Sequence, residues 1–235
     1  LSAPTWGFED VSFKGEKLSL SQPFGSYVME NVLFKISFPA EFHAQTAVEA
    51  AVKLHPLIKD INDIKSIEIT THESAIRIIS KVGELNNPAD RDHCLQYMIA
   101  IGLLKGDLVA EDYEDDVASD PRIDQLRSKM DIKEDERYSR EYHEADKRSI
   151  ANRIQIHFND GTSSEVIEVE YPIGHKTRRE EGIPVLEQKF KRNLELTYGK
   201  EKANLIFEKC INQEEFEKMS VIDFQEMLTV STNKF

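Results

Sequence analysis

Three residues close to one proline have the side-chain types that acid–base chemistry uses: Lys35, Glu41 and His43. Alternating apolar residues over 32–38 predict a strand that ends at Pro39, and the spacing that follows predicts a helix. A helix start favours anions through its free N–H groups and its dipole, so these N–H groups together with Lys35 and His43 would suit a carboxylate ligand. The alternative interpretation is that Lys35 is solvated, Glu41 only complements the dipole and His43 lies on the surface.

A second candidate pair, His93 and Tyr97, lies in the apolar stretch 92–104, which predicts a helix buried on most sides. The two residues are at positions i and i+4 and therefore share one helix face. A tyrosine hydroxyl can donate a proton when it is held near a reacting centre, and a neutral histidine can accept one. The pair is either a satisfied pair in the core or the lining of a cavity, and both interpretations stay open.

A short cationic run over 174–179 follows a predicted strand that ends at Tyr171-Pro172. Loops at strand ends often carry function, which makes His175 and Lys176 candidate ligands for an anionic substrate. His175 is the stronger candidate because it stands between a glycine and the charged residues. The alternative interpretation of the lysine and the arginines in this run is an ordinary solvated face.

Composition limits the partners and the compartment. The 235 residues carry a net charge of −13, which argues against nucleic acid and against an anionic membrane surface. No apolar run approaches the roughly 18 residues of a membrane span. The cysteines, Cys94 and Cys210, are too few for a disulfide framework. They favour a reducing compartment, the cytoplasm for a bacterial protein, with a mitochondrial location expected for a eukaryotic relative.

Motifs for cofactors are absent from the sequence. It contains no Walker loop, no GxGxxG, no CxxC and no HExxH. An iron–sulfur cubane needs about three or four thiolates, and two distant cysteines cannot supply them. The sequence therefore predicts that this chain has no cofactor site and no metal site of its own.

The elements that must position the candidate residues combine strands and helices. Strands are predicted at 64–71 and in a hairpin around Asp160-Gly161, and helices at 41–55, at 92–104, after Asp120-Pro121 and beyond Pro184. Residues 75–80 suit either a short helix or a strand. This order predicts an α+β fold: an α+β domain, followed by C-terminal helices that would belong to an all-α domain mostly missing from this chain.

The expected boundaries are a connecting segment over 1–26, the α+β domain over 27–180 and the C-terminal helices over 181–235. Three helices alone bury little surface, so the tail is expected to pack against helices that this chain lacks. The first residues begin at Leu1 with no element leading into them, which indicates an internal stretch of a longer protein.

Three long segments resemble the MmgE/PrpD family, which includes the 2-methylcitrate dehydratases of propionate catabolism and the mammalian cis-aconitate decarboxylase. They are GSYVMENVLFKISFPAEFHAQTAVEAA at 25–51, LNNPADRDHC at 85–94 with QY at 96–97, and VEYPIGH at 169–175. The likeness extends over essentially all of the chain. It implies a helical domain, built from both ends of the polypeptide, that carries an inserted α+β domain.

The resemblance also implies an activity: cofactor-independent elimination of water from 2-methylcitrate, a small tricarboxylate, in a cleft between the two domains of a homodimer. Lys35 and Tyr97 match a lysine and a tyrosine of the decarboxylase site, whereas Glu41 stands in place of a histidine and favours the dehydratase. The candidate catalytic residues are Lys35, His43, His93 and Tyr97, and the candidate substrate-binding residues are Glu41, His175 and Lys176. Further acid–base residues are expected in the N-terminal half of the family.

Dehydration of a β-hydroxy acid needs a base for the proton next to a carboxylate, an acid for the leaving hydroxide and cations for the enolate-like charge. The residues suit these roles: His43 or His93 as base, Tyr97 as acid, and Lys35 and His175 as carboxylate clamps. Two alternatives stay open. One is a related lyase that acts on citrate or cis-aconitate, and the other is a truncated product that serves only in folding or dimerisation.

Overall fold

A computed structural model describes residues 2–19 and 35–229. These residues fall into two compact units, 2–19 in the first and 35–229 in the second. The first unit holds one short helix, α1 (Phe8–Phe13), which ends at Lys14 in a left-handed conformation. The predicted connecting segment over 1–26 lies partly outside the described residues, and its role stays a prediction.

A four-stranded sheet forms the centre of the second unit. The strands are β1 (Ile64–Thr71), β2 (Met130–Glu134), β3 (Asn152–Phe158) and β4 (Ile167–Val169), in the order β2-β1-β3-β4. β1 is parallel to β2 and antiparallel to β3, which is antiparallel to β4. Ile67 and Ile69 are buried and lie opposite Ile156 and Ile154. Alternate side chains of two neighbouring strands therefore build one face of the core.

Helices pack around this sheet and confirm the α+β class. They are α2 (Gln45–Leu54), α3 (Glu73–Ile79), α4 (Pro88–Asp92), α5 (Leu95–Lys105), α6 (Asp115–Ala118), α7 (Pro121–Arg127) and α8 (Glu136–His143). Helix α5 is buried along most of its length, as its apolar sequence predicts. Helices α2 and α5 approach closely, since a Cβ added at Gly102 would lie 3.0 Å from the Cβ of Ala51.

The strand predicted over 32–38 is not found in its described part, residues 35–38. Burial nevertheless alternates there, with Ile36 and Phe38 buried and Lys35 exposed. Side chains, rather than a neighbouring strand, satisfy the backbone: Gln45 Nε2 donates to the carbonyl of Phe38 at 3.0 Å and to that of Ala40 at 2.8 Å. The alternating pattern therefore marks a partly buried segment without regular secondary structure, and not a strand of the sheet.

The tail is helical, as predicted. It contains α9 (Arg179–Tyr198), α10 (Lys200–Ile211), α11 (Gln213–Lys218) and α12 (Val221–Met227). Leu194, Ala203 and Ile206 form a second, smaller core. Helix α9 begins before Pro184, although a proline inside a helix removes one backbone hydrogen bond. Within residues 2–19 and 35–229, none of the helices has both the length and the apolar character that a membrane crossing requires.

Arg178 ties the start of α9 to α2. Its guanidinium nitrogens lie 2.9 and 3.0 Å from the two carboxylate oxygens of Glu49, and further hydrogen bonds reach Glu181 at 2.7 and 2.9 Å and the carbonyl of Tyr171. Glu49 is almost fully buried and has one further partner, Lys53, at 2.8 Å. The charge run over 174–179 is therefore not uniformly solvated, because one of its arginines holds a buried carboxylate.

Replacing Arg178 with methionine is expected to lower the free energy of unfolding by about 3 kcal/mol, the lower end of the cost of breaking a buried ion pair, because a buried Glu49 would keep Lys53 as a partner. Urea denaturation of the chain measures this loss. Arg122→Met is the matched control: Arg122 also contacts a carboxylate, Asp120, through two nitrogens, but its side chain is largely exposed. Equal midpoints for the two variants would contradict a structural role for Arg178.

Candidate active site

Glu41 and His43 form a tight pair at the start of a 3-10 turn, Phe42–Ala44, that leads into α2. The Glu41 carboxylate accepts a hydrogen bond from the His43 backbone N–H at 2.8 Å. The same carboxylate lies 2.9 and 3.1 Å from His43 Nδ1. The carboxylate at this helix start is thus the side chain of Glu41, and the binding of a ligand carboxylate there stays a prediction.

The second ring nitrogen of His43 also has a partner, because Nε2 lies 3.1 Å from the hydroxyl oxygen of Tyr142. The arrangement in which all three groups are satisfied has Nδ1–H donating to Glu41 and Nε2 accepting from the Tyr142 hydroxyl. A carboxylate, an imidazole and a hydroxyl in this order form a proton relay of the kind that activates hydroxyl groups in enzymes.

The charge state of Glu41 suits this relay. Burial raises the pKa of its carboxyl group, but the hydrogen bonds and charge of His43 outweigh burial, so that the net pKa is lowered. Glu41 is therefore ionised at neutral pH and can stabilise a proton on His43. The side chains of Glu41 and His43 are only 13% and 10% exposed, which limits screening by water.

His72 packs against both aromatic members of the relay. Its ring stacks on Tyr142 with centroids 4.8 Å apart at 22° and lies 5.2 Å from the ring of His43. Burial and the charge of His43 lower the pKa of His72 to about 4, against smaller raising contributions from the Ala151 backbone and Glu41. His72 is therefore neutral at pH 7 and presents a flat, uncharged surface to Tyr142.

Glu41, His43, His72 and Tyr142 form one cluster, and separate elements hold it together. His72 follows the last residue of β1, and Tyr142 lies near the end of α8. The backbone N–H of Glu73 donates to Ser139 Oγ at 2.9 Å, which joins the start of α3 to α8. Asn152, at the start of β3, donates to the carbonyl of His43 at 2.9 Å. The position of His43 is thus set by long-range contacts as well as by its own turn.

His93 and Tyr97 do not form the predicted pair on one helix. α4 ends at Asp92 and α5 begins at Leu95, so that a break between helices separates the two side chains. His93 is exposed and contacts Asp92. The prediction of a single helix over 92–104 is wrong at its start, because His93 adopts a non-helical conformation as the C-cap of α4.

Tyr97 is buried, and its hydroxyl donates to the backbone carbonyl of Asp112. Burial raises the pKa of this hydroxyl to about 12. Its ring stacks on Tyr113, whose own hydroxyl donates to the carbonyl of Pro39 at 3.0 Å. Proton donation by Tyr97 to a substrate would therefore require its hydroxyl to leave the Asp112 carbonyl, and the acid role of Tyr97 stays a prediction.

The remaining candidates lie elsewhere in the second unit. Lys35 is exposed, and its backbone carbonyl accepts a hydrogen bond from Lys189 Nζ at 2.8 Å. The ring of His175 stacks on Tyr171 at 4.3 Å, and its Nδ1 lies 2.8 Å from Thr177 Oγ1. Lys176 is exposed. Their roles in catalysis or substrate binding stay predictions.

A protein-family model described as the MmgE/PrpD C-terminal domain matches residues 38–213 of this chain. The chain belongs to the MmgE/PrpD family. The resemblance identified in the sequence is thereby confirmed. The matched range contains Glu41, His43, His72 and Tyr142, so the cluster lies inside the family's C-terminal domain.

Relatives in the MmgE/PrpD family include the 2-methylcitrate dehydratase of Escherichia coli (strain K12), which is 53% identical over 234 residues, covering 98% of this chain and 48% of that protein. The mitochondrial 2-methylcitrate dehydratase of Yarrowia lipolytica is 61% identical over 198 residues, 83% of this chain and 38% of that protein. A probable 2-methylcitrate dehydratase of Saccharomyces cerevisiae is 54% identical over 237 residues, 97% and 46% respectively. The chain spans about half the length of the curated relatives it matches, or less.

In this MmgE/PrpD chain, the structure brings together two of the predicted residues, Glu41 and His43. Among residues 2–19 and 35–229, no hydrogen bond, ion pair or ring contact joins the other candidates to this pair. The sequence reasoning missed His72 and Tyr142. A histidine directly after a buried strand is the one local signal that pointed to His72, and Tyr142 has none.

Proposed function

We propose that this chain is the C-terminal part of a 2-methylcitrate dehydratase, a hydro-lyase that forms 2-methyl-cis-aconitate in propionate catabolism. The observation that carries the proposal is the 53% identity to the Escherichia coli 2-methylcitrate dehydratase over 98% of this chain. The Glu41–His43 pair supports it, because a buried imidazole beside an ionised carboxylate has the composition of a general base. The activity is assigned to the longer protein, since this chain corresponds to about half of such an enzyme.

The proposed division of the longer protein follows the sequence pattern. Residues 27–180 form the α+β domain, and residues 181–235 supply helices to a helical domain that the rest of the enzyme completes. Exposed apolar side chains on the tail, such as Leu196 and Leu205, support this arrangement because such surfaces mark contacts with other parts of a protein. The proposed enzyme is a homodimer in the cytoplasm of a bacterium or in the mitochondrion of a eukaryote, and it uses no cofactor.

The experiment uses a fusion protein. Its N-terminal part is the portion of the Escherichia coli relative that this chain does not match, and its C-terminal part is this chain. We expect the fusion to convert 2-methylcitrate, and to convert it faster than citrate, as followed by the ultraviolet absorbance of the conjugated product. The control is the Escherichia coli enzyme rejoined at the same point, which must be active. Product from citrate alone would favour a related lyase, and a folded fusion with neither activity beside an active control would contradict the proposal.

A further inference from the structure

His43 cannot meet a substrate directly without breaking one of its present contacts. Both of its ring nitrogens are occupied, Nδ1 by Glu41 and Nε2 by the hydroxyl of Tyr142. Its side chain is also largely buried, with only 10% of it exposed. Tyr142 is the partly exposed aromatic member of this group, on α8 next to the exposed His143. The hydroxyl of Tyr142 is the end of the relay that lies opposite Glu41, on a residue that is partly exposed.

We propose that Tyr142, and not His43, exchanges the proton with the substrate, as the outer end of a Glu41–His43–Tyr142 relay whose tyrosine ring is positioned by His72. This inference rests on the proposed dehydratase function and adds two residues to it. Tyr142 would be a catalytic residue because it touches the substrate, whereas His72 would be a positioning residue because it acts through Tyr142.

In this step, the relay and the substrate together account for every proton that moves. The oxygen of Tyr142 takes the proton next to the substrate carboxylate while its own proton moves to Nε2 of His43. The electron pair of the broken C–H bond becomes the new double bond, and hydroxide leaves with the electron pair of the C–O bond. The proton on His43 then returns through Tyr142 to the hydroxide, so that water is released and the relay is restored. Ionised Glu41 stabilises the transient imidazolium.

The surroundings of His72 fit a positioning role. None of the hydrogen bonds of the described residues joins His72 to the relay, and its Nδ1 lies 3.4 Å from Thr71 Oγ1, so ring stacking on Tyr142 is its main contact with the relay. The charged or titratable groups that face it are His43 and Glu41 from the turn before α2, and His143 from α8. A neutral ring at this position avoids a second positive charge when His43 takes up its proton, and a protonated His72 would oppose it.

Tyr142→Phe in the fused enzyme tests the outer end of the relay. We expect kcat to fall by about 100-fold with KM changed by less than about twofold, because the proton path is removed and the ring stack is kept. Tyr138→Phe is the matched control, since this tyrosine lies on the same helix and its ring contacts Arg137 instead. A Tyr142→Phe enzyme as fast as the Tyr138→Phe enzyme would overturn the proposal.

A second measurement separates this inference from the proposed function. The ¹⁵N NMR shifts of His43 in the chain itself report which ring nitrogen carries the proton, and Tyr142→Phe is expected to change the Nε2 signal while Tyr138→Phe leaves it unchanged. If the fusion is inactive on 2-methylcitrate, the dehydratase proposal fails and the NMR result alone decides the relay. An unchanged Nε2 signal overturns it. If Tyr142→Phe does not fold, 3-fluorotyrosine at position 142 serves instead, and its more acidic hydroxyl is expected to shift the pH dependence of kcat to lower pH.

The positioning role of His72 has its own readout. His72→Phe keeps a flat neutral ring against Tyr142, and His72→Ala removes it. We expect His72→Ala to lower kcat by about tenfold and His72→Phe to retain kcat within about twofold, with KM unchanged in both. Loss of kcat in both variants would show that the imidazole itself is needed and would overturn the positioning role.

Discussion

His43→Asn is expected to lower kcat of the fused enzyme by about 10²–10⁴-fold, the range that general acid–base groups contribute. Asparagine can still hydrogen-bond to Glu41 through its amide, at the place of Nδ1, but it has no atom at the place of Nε2. The contact between His43 Nε2 and the Tyr142 hydroxyl oxygen, 3.1 Å in the structure, is therefore lost, while the turn before α2 is kept. Initial rates of formation of the conjugated product measure the effect.

Two further variants show which contact matters. His43→Gln places an amide near the position of Nε2 and loses the contact with Glu41, and Glu41→Gln keeps the shape of the side chain but removes its charge. Both are expected to lower kcat by at least about tenfold. His157→Asn is the control, because His157 contacts Ser163 on the hairpin away from the cluster. A His43→Asn enzyme that keeps the rate of the His157→Asn enzyme would remove His43 from the mechanism.

Acidification from pH 7 to pH 4 is expected to cost about 3 kcal/mol of the free energy of unfolding through His72 alone. The pKa of His72 is about 4 in the folded chain, against 6.5 for a free histidine. Below about pH 6.5 the unfolded chain binds a proton that the folded chain does not, so stability falls as the pH falls. The contribution is fully retained above pH 6.5 and is lost progressively down to pH 4. The magnitude follows from about 1.36 kcal/mol for each pH unit.

His72→Phe tests this dependence because phenylalanine keeps the ring and cannot take up a proton. Urea unfolding at intervals between pH 7 and pH 4.5 is expected to show a flatter dependence on pH for His72→Phe than for the wild-type chain. His157→Phe, which replaces a half-buried histidine outside the cluster, is expected to keep the wild-type dependence. The lowered pKa of Glu41 adds acid sensitivity only below its ordinary value of 4.5, so the two effects act over different pH ranges. Parallel curves for all three proteins would contradict a buried neutral His72.

Several elements were predictable because their signals are local. The apolar spacing over α2, the alternation of β1 and the Asp160-Gly161 turn between β3 and β4 predict the elements that the structure shows. Asp120 caps α7 through the backbone N–H of Arg122, as its place before a proline predicts. Strand β2 was missed because it lies at the edge of the sheet, where mostly exposed, charged residues leave little apolar pattern.

The sequence by itself determined the family, the α+β class and the closeness of Glu41 to His43, because long similar segments and neighbouring positions are properties of the chain order alone. Only the tertiary structure decided what completes that pair. Tyr142 lies 99 positions from His43, and His72 comes from the end of a third element. Helix α8 and the end of β1 meet at the turn before α2 because burial and long-range hydrogen bonds bring them there, and no local spacing encodes that meeting. The same packing separated His93 from Tyr97, since a helix break and burial assigned one to solvent and the other to the core.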